Sequence, residues 1–426
     1  MNCSIPKSVF PHRWSVLVLL CPGVLTALIA VEPPKSWPPE AFRPVTIERI
    51  AALPAAEQPA WRAYLAASET LAAKLPVRKA PDASAMAPTN AAPGGDVFNL
   101  GLQVDAPAEW FASEEAALIA DRVVTRQTAL GGWNKGNDYT KTEGIGKAGT
   151  KADSESGGIF DNDSTTREIR ALARTAMATT DRERAATWRA AALRGIEYCL
   201  AAQYPNGGFP QFYPLIGGYH DAVTYNDDAM VQILEVLRDV ARQNPEFKFV
   251  PTNVRARAAA AIERGLRCIL ATQVRFRDDS SLTAWCQQYD ALTLQPCAAR
   301  AFEPIGLAAD ESASLVRYLM KIPDPAPEVV AAIEAAVAWF ERTAIHGHTW
   351  DRNSAEVQLK RESGAPLLWA RLYELETNKP IFGDRDRTIH YVVDEISSER
   401  RRGYSWYGNW PAETLDAYRA WKAARR

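Results

Sequence analysis

Residues 201–230 read AAQYPNGGFPQFYPLIGGYHDAVTYNDDAM. The first half sets glycine and proline between aromatic residues, the composition of an ordered loop rather than of a helix or strand. The second half places two adjacent carboxylates, Asp227 and Asp228, at the start of an apolar helical run. The loop offers rings that can stack on a sugar, and the carboxylates offer a seat for a cation. Outward from this stretch the same pattern recurs. A helical segment ending in Gln127 leads to GGWNKGNDYT, one ending in Gln203 leads to PNGGFPQFYP, and one ending near Gln273 leads to AWCQQYD. These glutamines lie 76 and 70 residues apart, longer than the period of solenoids built from one small unit and enough for two helices and a loop.

Apolar spacing predicts helices over 111–128, 164–179, 181–203, 226–243, 251–273, 308–321, 326–344, 365–376 and 412–425. In VVAAIEAAVAWFERTA, for example, Val329, Ile333, Val337 and Phe340 share one face. Strand signals are few and short. The pattern therefore predicts an all-α protein, an incomplete (α/α) toroid or barrel of helical hairpins with long loops gathered at one end.

Length and composition set outer bounds. A chain of 426 residues with 47% hydrophobic content and a formal charge of -2 can bury a large core in one or two domains. No stripe of clustered Lys and Arg is present to neutralise phosphates, so nucleic acid is not an expected partner; Arg400, Arg401 and Arg402 read as a solvated helix end. Residues 1–31 read as a leader: Lys7, His12 and Arg13 precede the apolar run Trp14 to Val31, and Ala27 and Ala30 offer small residues for cleavage. Pro22, Gly23 and the following EPPKSWPP favour a secretory signal over a lasting membrane anchor. The expectation is a secreted or periplasmic monomer without a stable membrane partner. Residues 32–95 form an Ala/Pro-rich extension with two short helices around Ile47–Leu53 and Trp61–Leu71, then a linker over 80–95; the main domain is expected over 96–426. Beyond the leader, Cys199, Cys268, Cys286 and Cys297 fit no zinc spacing. Cys286 and Cys297 are compatible both with pairing after export and with two buried free thiols.

The sequence contains no Gly-x-Ser-x-Gly elbow, no HExxH and no phosphate-cradling GxxxxGK. Of five histidines, His346 and His348 suggest no third metal ligand, and His390 reads as a surface residue. What stands out is Asp and Arg inside aromatic, Gly-containing loops: Asp161 and Asp163 in FDNDSTTREI, Asp227 and Asp228 in YNDDAM, Asp290 in CQQYDALTLQP, Arg300 in ARAFEP, Arg371 in WARLYE and Arg385 in FGDRD. Clustered carboxylates bind a hard cation such as Ca²⁺ through oxygen, and arginines grip carboxylates bidentately. Together they describe a pocket for an anionic sugar whose own carboxylate bridges to a metal. A purely structural reading stands beside each: Asp163 as a helix cap, and Arg371 and Arg385 in ion pairs with Glu374 and with Asp384 or Asp386.

Five segments in this order, QYPNGGFPQFYP, TYNDDAM, WCQQYDALTLQPCAARAFEP, PLLWARLYELETNKPIFGDRD and RRGYSWYGNWP, resemble the pectate lyases of polysaccharide lyase family ten across about residues 96–426. That resemblance implies an incomplete α/α toroid that cleaves polygalacturonate (pectate) by anti β-elimination, with Ca²⁺ bridging enzyme and substrate. It implies Arg300 as the base, Asp290 as a Ca²⁺ ligand, and Asp228 beside the same cation or the substrate. Asp227 joins that pair as a ligand or caps the helix. Arg371 and Arg385 would hold substrate carboxylates, and Tyr407 and Trp410 would stack on sugar rings. Ala291 and the EPIGLAADES turn depart from the family pattern and bear on subsite preference.

The chemistry makes its own demand. A proton beside a uronate carboxylate is weakly acidic, and its loss builds charge that a cation stabilises more in the transition state than in the ground state. A guanidinium, with a pKa above about 12, serves as base only in a perturbing site and at alkaline pH. Two alternatives use the same residues: a glycoside hydrolase on an α/α barrel, with two carboxylates flanking the bond, and a non-catalytic polyuronate-binding protein.

Overall fold

Helices form where apolar residues recur at helical spacing: α1 (Ile47–Ala51), α2 (Gln58–Ala72), α3 (Ala108–Phe111), α4 (Glu114–Thr125), α5 (Thr166–Ala178), α6 (Arg182–Ala202), α7 (Ala229–Ala241), α8 (Thr252–Thr272), α9 (Ala309–Met320), α10 (Pro327–Thr343), α11 (Ser398–Gly403) and α12 (Trp410–Ala423). The structure, a computed structural model, describes residues 35–37, 43–75, 101–141, 157–276, 280–354 and 356–425. The leader over 1–31 and the linker over 80–95 lie outside them. Asp181 caps α6 through the Glu183 and Arg184 amides, both at 3.0 Å, and Pro327 opens α10 where no amide donor is needed. Among the described residues no helix is long and apolar enough to cross a membrane.

Three hairpins, α5/α6, α7/α8 and α9/α10, repeat one arrangement. The first helix of each is buried on nearly all sides and lines the interior; the second carries one apolar face and forms the outer layer. The glutamines that mark the period are the joints. Gln127 Nε2 donates to the Gly131 and Ala191 carbonyls (2.8 and 2.9 Å), Gln203 Nε2 to Gly207 and Ala261 (3.0 and 2.9 Å), and Gln273 Nε2 to Thr283 and Ala332 (both 2.9 Å). Each side chain fastens its own loop and the next outer helix at once. The first two outer helices approach their inner partners through a glycine: a Cβ on Gly195 would sit 2.6 Å from Ile169, and one on Gly265 2.6 Å from Leu234. These contacts curl the hairpins into an incomplete α/α toroid with its long loops at one end.

One expected helix is absent. Residues 365–376 carry short strands, Trp369–Ala370 and Leu372–Tyr373, in place of a helix. Trp369–Ala370 pairs with Tyr407–Gly408, while Leu372–Tyr373 pairs with Pro380–Gly383 and Leu307–Ala308, all antiparallel. Side chains here are buried on both faces, so the run shows no period that separates strand from helix. Lys35–Ser36 and Thr388–His390 complete a five-stranded sheet. Cys199, Cys268, Cys286 and Cys297 are buried free thiols, so Cys286 and Cys297 do not pair.

The described part of the extension belongs to the same unit as the toroid, which runs from Lys35 to Arg426. Trp61 and Tyr64 of α2 pack on Tyr204, with ring centroids 5.2 and 5.0 Å away, and the Tyr64 hydroxyl donates to the Ala202 carbonyl at 2.9 Å. Ser68 accepts from the Leu215 amide at 2.9 Å. Arg49 forks onto both oxygens of Asp290, at 2.8 and 2.6 Å. This charge-assisted pair is only partly exposed, so Arg49→Ala is expected to cost about 2 kcal/mol of unfolding free energy. Urea denaturation reads this as a lower midpoint at unchanged slope; an unchanged midpoint would show that the extension does not support the body.

Candidate active site

The three inner helices begin with acidic segments, and the repeat brings these to one end of the toroid. Asp161–Asp163 leads through Ser164 and Thr165 into α5, Asn226–Asp228 leads into α7, and Asp310 and Glu311 lie in the first turn of α9. Backbone geometry aims the side chains. Asn162, Asp163, Thr165, Asp227 and Asp228 all have positive φ, between 50° and 71°, a conformation that costs non-glycine residues of order 1 kcal/mol or more and collects at functional sites. Asp228 stands at the N-cap of α7 yet makes no side-chain cap bond; its Oδ2 accepts instead from Ser314 of α9 at 2.8 Å.

Asp161 and Asp227 are buried neighbours whose charges act on each other. Burial and the Asp161 charge raise the Asp227 carboxyl well above the usual range, against the pull of Arg371. Burial acts the same way on Asp161, but the Lys135 ammonium and the bond from Asp227 overcome it and keep Asp161 ionised. Asp228 is pushed up to about 7 by burial and then by Asp310, and Asp310 is itself raised by burial and by Glu311. Buried like charges settle in this way: one group ionises and its neighbour stays neutral. Arg371 is the central counter-charge, with its Nη2 2.6 Å from Glu311 Oε1 and 3.8 Å from Asp227 Oδ1, and its Nη1 3.2 Å from Asp310 Oδ2.

A second set of groups continues from the first. Gln287 Nε2 donates to Asn226 Oδ1 (2.9 Å) and Glu311 Oε1 (2.8 Å) and reaches the Tyr404 hydroxyl at 3.2 Å. That hydroxyl donates to Glu303 at 2.9 Å, and Glu303 accepts the Arg300 amide (3.1 Å) and Nε (2.7 Å). Around the Phe302 ring stand three guanidinium groups, Arg400 at 4.4 Å, Arg300 at 4.9 Å and Arg385 at 5.8 Å from its centre. Their acidic partners are Glu303 and Glu399, and Glu399 serves Arg385 and Arg400 together. The cluster is positive.

The structure redistributes several expected roles. Asp290 is not placed with Asp227 and Asp228 as an open ligand. Its oxygens are engaged by Arg49, and Oδ1 also accepts the Leu292 and Thr293 amides and the Thr293 hydroxyl, so it holds a turn. Tyr407 is buried in a strand between Trp350 and Phe382 and presents no open platform. Trp410 is part-buried and stands 5.7 Å from the Arg371 guanidinium, at the site's edge. Arg371 does not pair with Glu374, which binds Lys35, and Arg385 pairs with Glu399 rather than with Asp384 or Asp386. Arg400, expected to be a solvated helix end, is buried in the arginine cluster. Asp163 lies beside Arg167, and the N-cap position of α5 is taken by Thr165. Lys135, Glu303, Gln287 and Tyr404 carried no signal beyond ordinary loop polarity.

Arg300 and Arg385 differ as candidate bases. The Arg300 side chain is 31% exposed and its partner Glu303 only 3%, and this buried fork raises Arg300 far above its ordinary pKa despite the opposing effect of burial. Arg385 and Glu399 are each 41% exposed, where solvent weakens the pair; the bond to Glu399 still holds the Arg385 pKa above its ordinary value, with the Arg300 charge a smaller opposing effect. Both guanidinium groups stand beside the Phe302 ring, and Arg385 is the more exposed of the two.

A hard cation fits the acid end. Asp161 Oδ1 is buried with no hydrogen-bond partner, in the neighbourhood of the Asp227 carboxyl. No group of three or more His, Cys, Asp or Glu among the described residues has the geometry to hold a metal alone. The protein thus offers Asp161 and Asp227, and the remaining oxygens of a Ca²⁺ shell would come from outside it.

Residues 127–415 match the Pectic acid lyase family. The solved structures that resemble the chain include two from Cellvibrio cellulosa. One is a point mutant of a family 10 polysaccharide lyase from Cellvibrio cellulosa in complex with trigalacturonic acid, with TM-score 0.65 and 33% identity, covering 75% of this chain and 97% of that one. The other is the family 10 polysaccharide lyase from Cellvibrio cellulosa, with TM-score 0.66 and 33% identity, covering 76% and 97%. No curated protein sequence matches.

One buried acid near the site titrates within reach of experiment. Glu168 of α5 is fully buried and accepts from the Tyr139 hydroxyl at 2.8 Å, and burial raises its carboxyl from 4.5 to about 7 despite that bond. A raised carboxyl pKa favours folding fully below 4.5 and loses that contribution as pH climbs to 7, because the unfolded state ionises first. This amounts to about 3 kcal/mol. Glu168→Gln is expected to flatten the fall in stability between pH 4.5 and 8 by about that amount in chemical denaturation; an unaltered pH profile would contradict the assignment.

Proposed function

The chain belongs to the pectic acid lyase family, as a pectate lyase of polysaccharide lyase family ten, and from that premise we propose that it cleaves α-1,4-polygalacturonate by Ca²⁺-assisted anti β-elimination, leaving an unsaturated oligogalacturonide end. The observation that carries this reading is a buried carboxyl pair, Asp161 and Asp227, within the electrostatic influence of Arg300, one of three arginines around Phe302. A polyanion whose repeating unit bears one carboxylate suits both at once. The similar structure with bound trigalacturonic acid supports an oligogalacturonide as the occupant.

In this reading Arg371 and Arg400 hold substrate carboxylates, and Trp410 borders the sugar rings. Asp161 and Asp227 would hold Ca²⁺, which would supply positive charge to stabilise a uronate carboxylate. Arg385, the more exposed of the two candidate bases, takes the proton from C5 at alkaline pH. The electron pair left behind forms the C4–C5 double bond, and the C4–O4 bond breaks on the opposite face of the ring. Arg300 stays cationic on Glu303 and lowers the pKa of Arg385 by its charge. Asp228, tied to Ser314, sits beside the same acids as a positioning group.

Hydrolysis fits less well. A pair of hydrolytic carboxyl groups flanks the bond at roughly 5 Å or more and is open to the sugar, whereas Asp161 is buried and tied to Lys135. Export to the periplasm or medium, with the leader over 1–31, accompanies the proposal because polygalacturonate is a polymer met outside the cell. A monomer suffices for it, since one chain carries both clusters.

On polygalacturonate with Ca²⁺ at alkaline pH, the purified protein is expected to raise ultraviolet absorbance from unsaturated ends while chain length falls. Shortening without absorbance would indicate hydrolysis, and no change in either would indicate binding alone. Arg385→Ala is expected to lower kcat by roughly a thousandfold with little change in oligosaccharide binding. Arg300→Ala is expected to keep measurable turnover at a more alkaline optimum. If Arg300→Ala abolishes turnover and Arg385→Ala spares it, the base is Arg300.

A further inference from the structure

The loop between α4 and α5 brings a cation of the protein's own to the acid end. Lys135 donates to Asp161 Oδ2, with its side chain 20% exposed. The other oxygen of the same carboxylate, Oδ1, is buried without a partner. The loop that carries Lys135 is fastened on all sides. Arg122 donates to the Tyr139 and Thr140 carbonyls (both 2.9 Å), Arg126 to those of Asp138 and Lys141, Asn137 to that of Asn134 (2.8 Å), and Tyr139 to buried Glu168. Residues 134–141 are thereby held in place, and the Lys135 side chain, 20% exposed, reaches solvent.

An ammonium is a compact, strongly hydrated point charge that reaches one oxygen of Asp161. A divalent ion bound by several oxygens competes for that same carboxylate and is repelled by the ammonium beside it. Resting on the reading of Asp161 and Asp227 as the cation seat, we propose that Lys135 is a tethered counter-cation: it balances Asp161 in the substrate-free protein, holds Ca²⁺ affinity low there, and passes to a uronate carboxylate when polymer and divalent ion arrive together. Calcium occupancy is then conditional on an anionic substrate that supplies both a new partner for Lys135 and oxygens for the metal. Lys135 is a positioning residue for the cation, set apart from the group that takes the proton.

The test is calcium binding without substrate, measured by calorimetry at fixed pH and ionic strength on the full chain. Lys135→Gln is expected to bind Ca²⁺ at least tenfold more tightly than wild type, because competitor and repulsive charge are both removed. Lys135→Arg, which keeps the charge, is expected to stay within about threefold of wild type. A second readout needs no binding curve: without calcium, Lys135→Gln melts below wild type because Asp161 has lost its partner, and millimolar Ca²⁺ restores more of its Tm than it adds to wild type. Equal or weaker calcium affinity in Lys135→Gln, or the same gain in Lys135→Arg, overturns the proposal. Because both readouts work on protein without substrate, their failure is separable from a failure of lyase activity.

Discussion

Buried carboxylates repel one another, and the loop end of this toroid is built around that repulsion. Three inner helices each deliver acids to a common point, two of them through left-handed turns that place Asp161 and Asp227 within hydrogen-bonding reach. Nothing in the packing of helices requires this. A core made only for stability would relieve it with apolar residues, since removing one partner of a buried charge group costs several kcal/mol and replacing the whole set is often neutral. The protein instead maintains an acid end in which burial and the Asp161 charge push the Asp227 carboxyl well above its usual range and Asp161 leans on Lys135, with Arg371 as the central positive charge.

The arrangement holds because the supporting contacts form one connected network. Arg371 lies between two short strands; its backbone binds the Trp406 carbonyl and the Ala309 amide, so the same residue that counters the acids also fixes the start of α9. Gln287 and Tyr404 carry the connection on to Glu303 and Arg300. Further out, α1 and α2 press on the 201–225 loop and on the Asp290 turn. Fixed positive and negative ends in one cleft, set before any ligand arrives, are what electrostatic preorganisation requires.

Much of the frame was legible in the sequence because it rests on local rules. The glutamines after α4, α6 and α8 were readable as a period, and the structure gives them one hydrogen-bonding task in each repeat. Helices with a clear apolar face came out within a few residues of their predicted ends, whereas 365–376, apolar on both sides, gave no period and became strands. The site was less legible, because its residues take meaning from partners far along the chain. Asp290 reads like Asp227 until Arg49, 241 residues earlier, is seen to occupy it. Arg300 reads like Arg385 until burial separates Glu303 from Glu399. Tyr407 looked like a platform because aromatic residues in Gly-containing segments do, and a strand pairing with Ala370 buried it. Arg400 was concealed in a run of three arginines, of which only one turns inward.

The account stands on a divalent ion seated between Asp161, Asp227 and a uronate carboxylate, and a crystal structure of a turnover-deficient variant with Ca²⁺ and trigalacturonate tests this most directly. The predicted result is one ion bridging those two side chains to the sugar, with Lys135 turned from Asp161 to a substrate carboxylate. An ion bound at Asp290 with Arg49 displaced, or a substrate held by the arginines with no ion at Asp161 and Asp227 at saturating calcium, would contradict it.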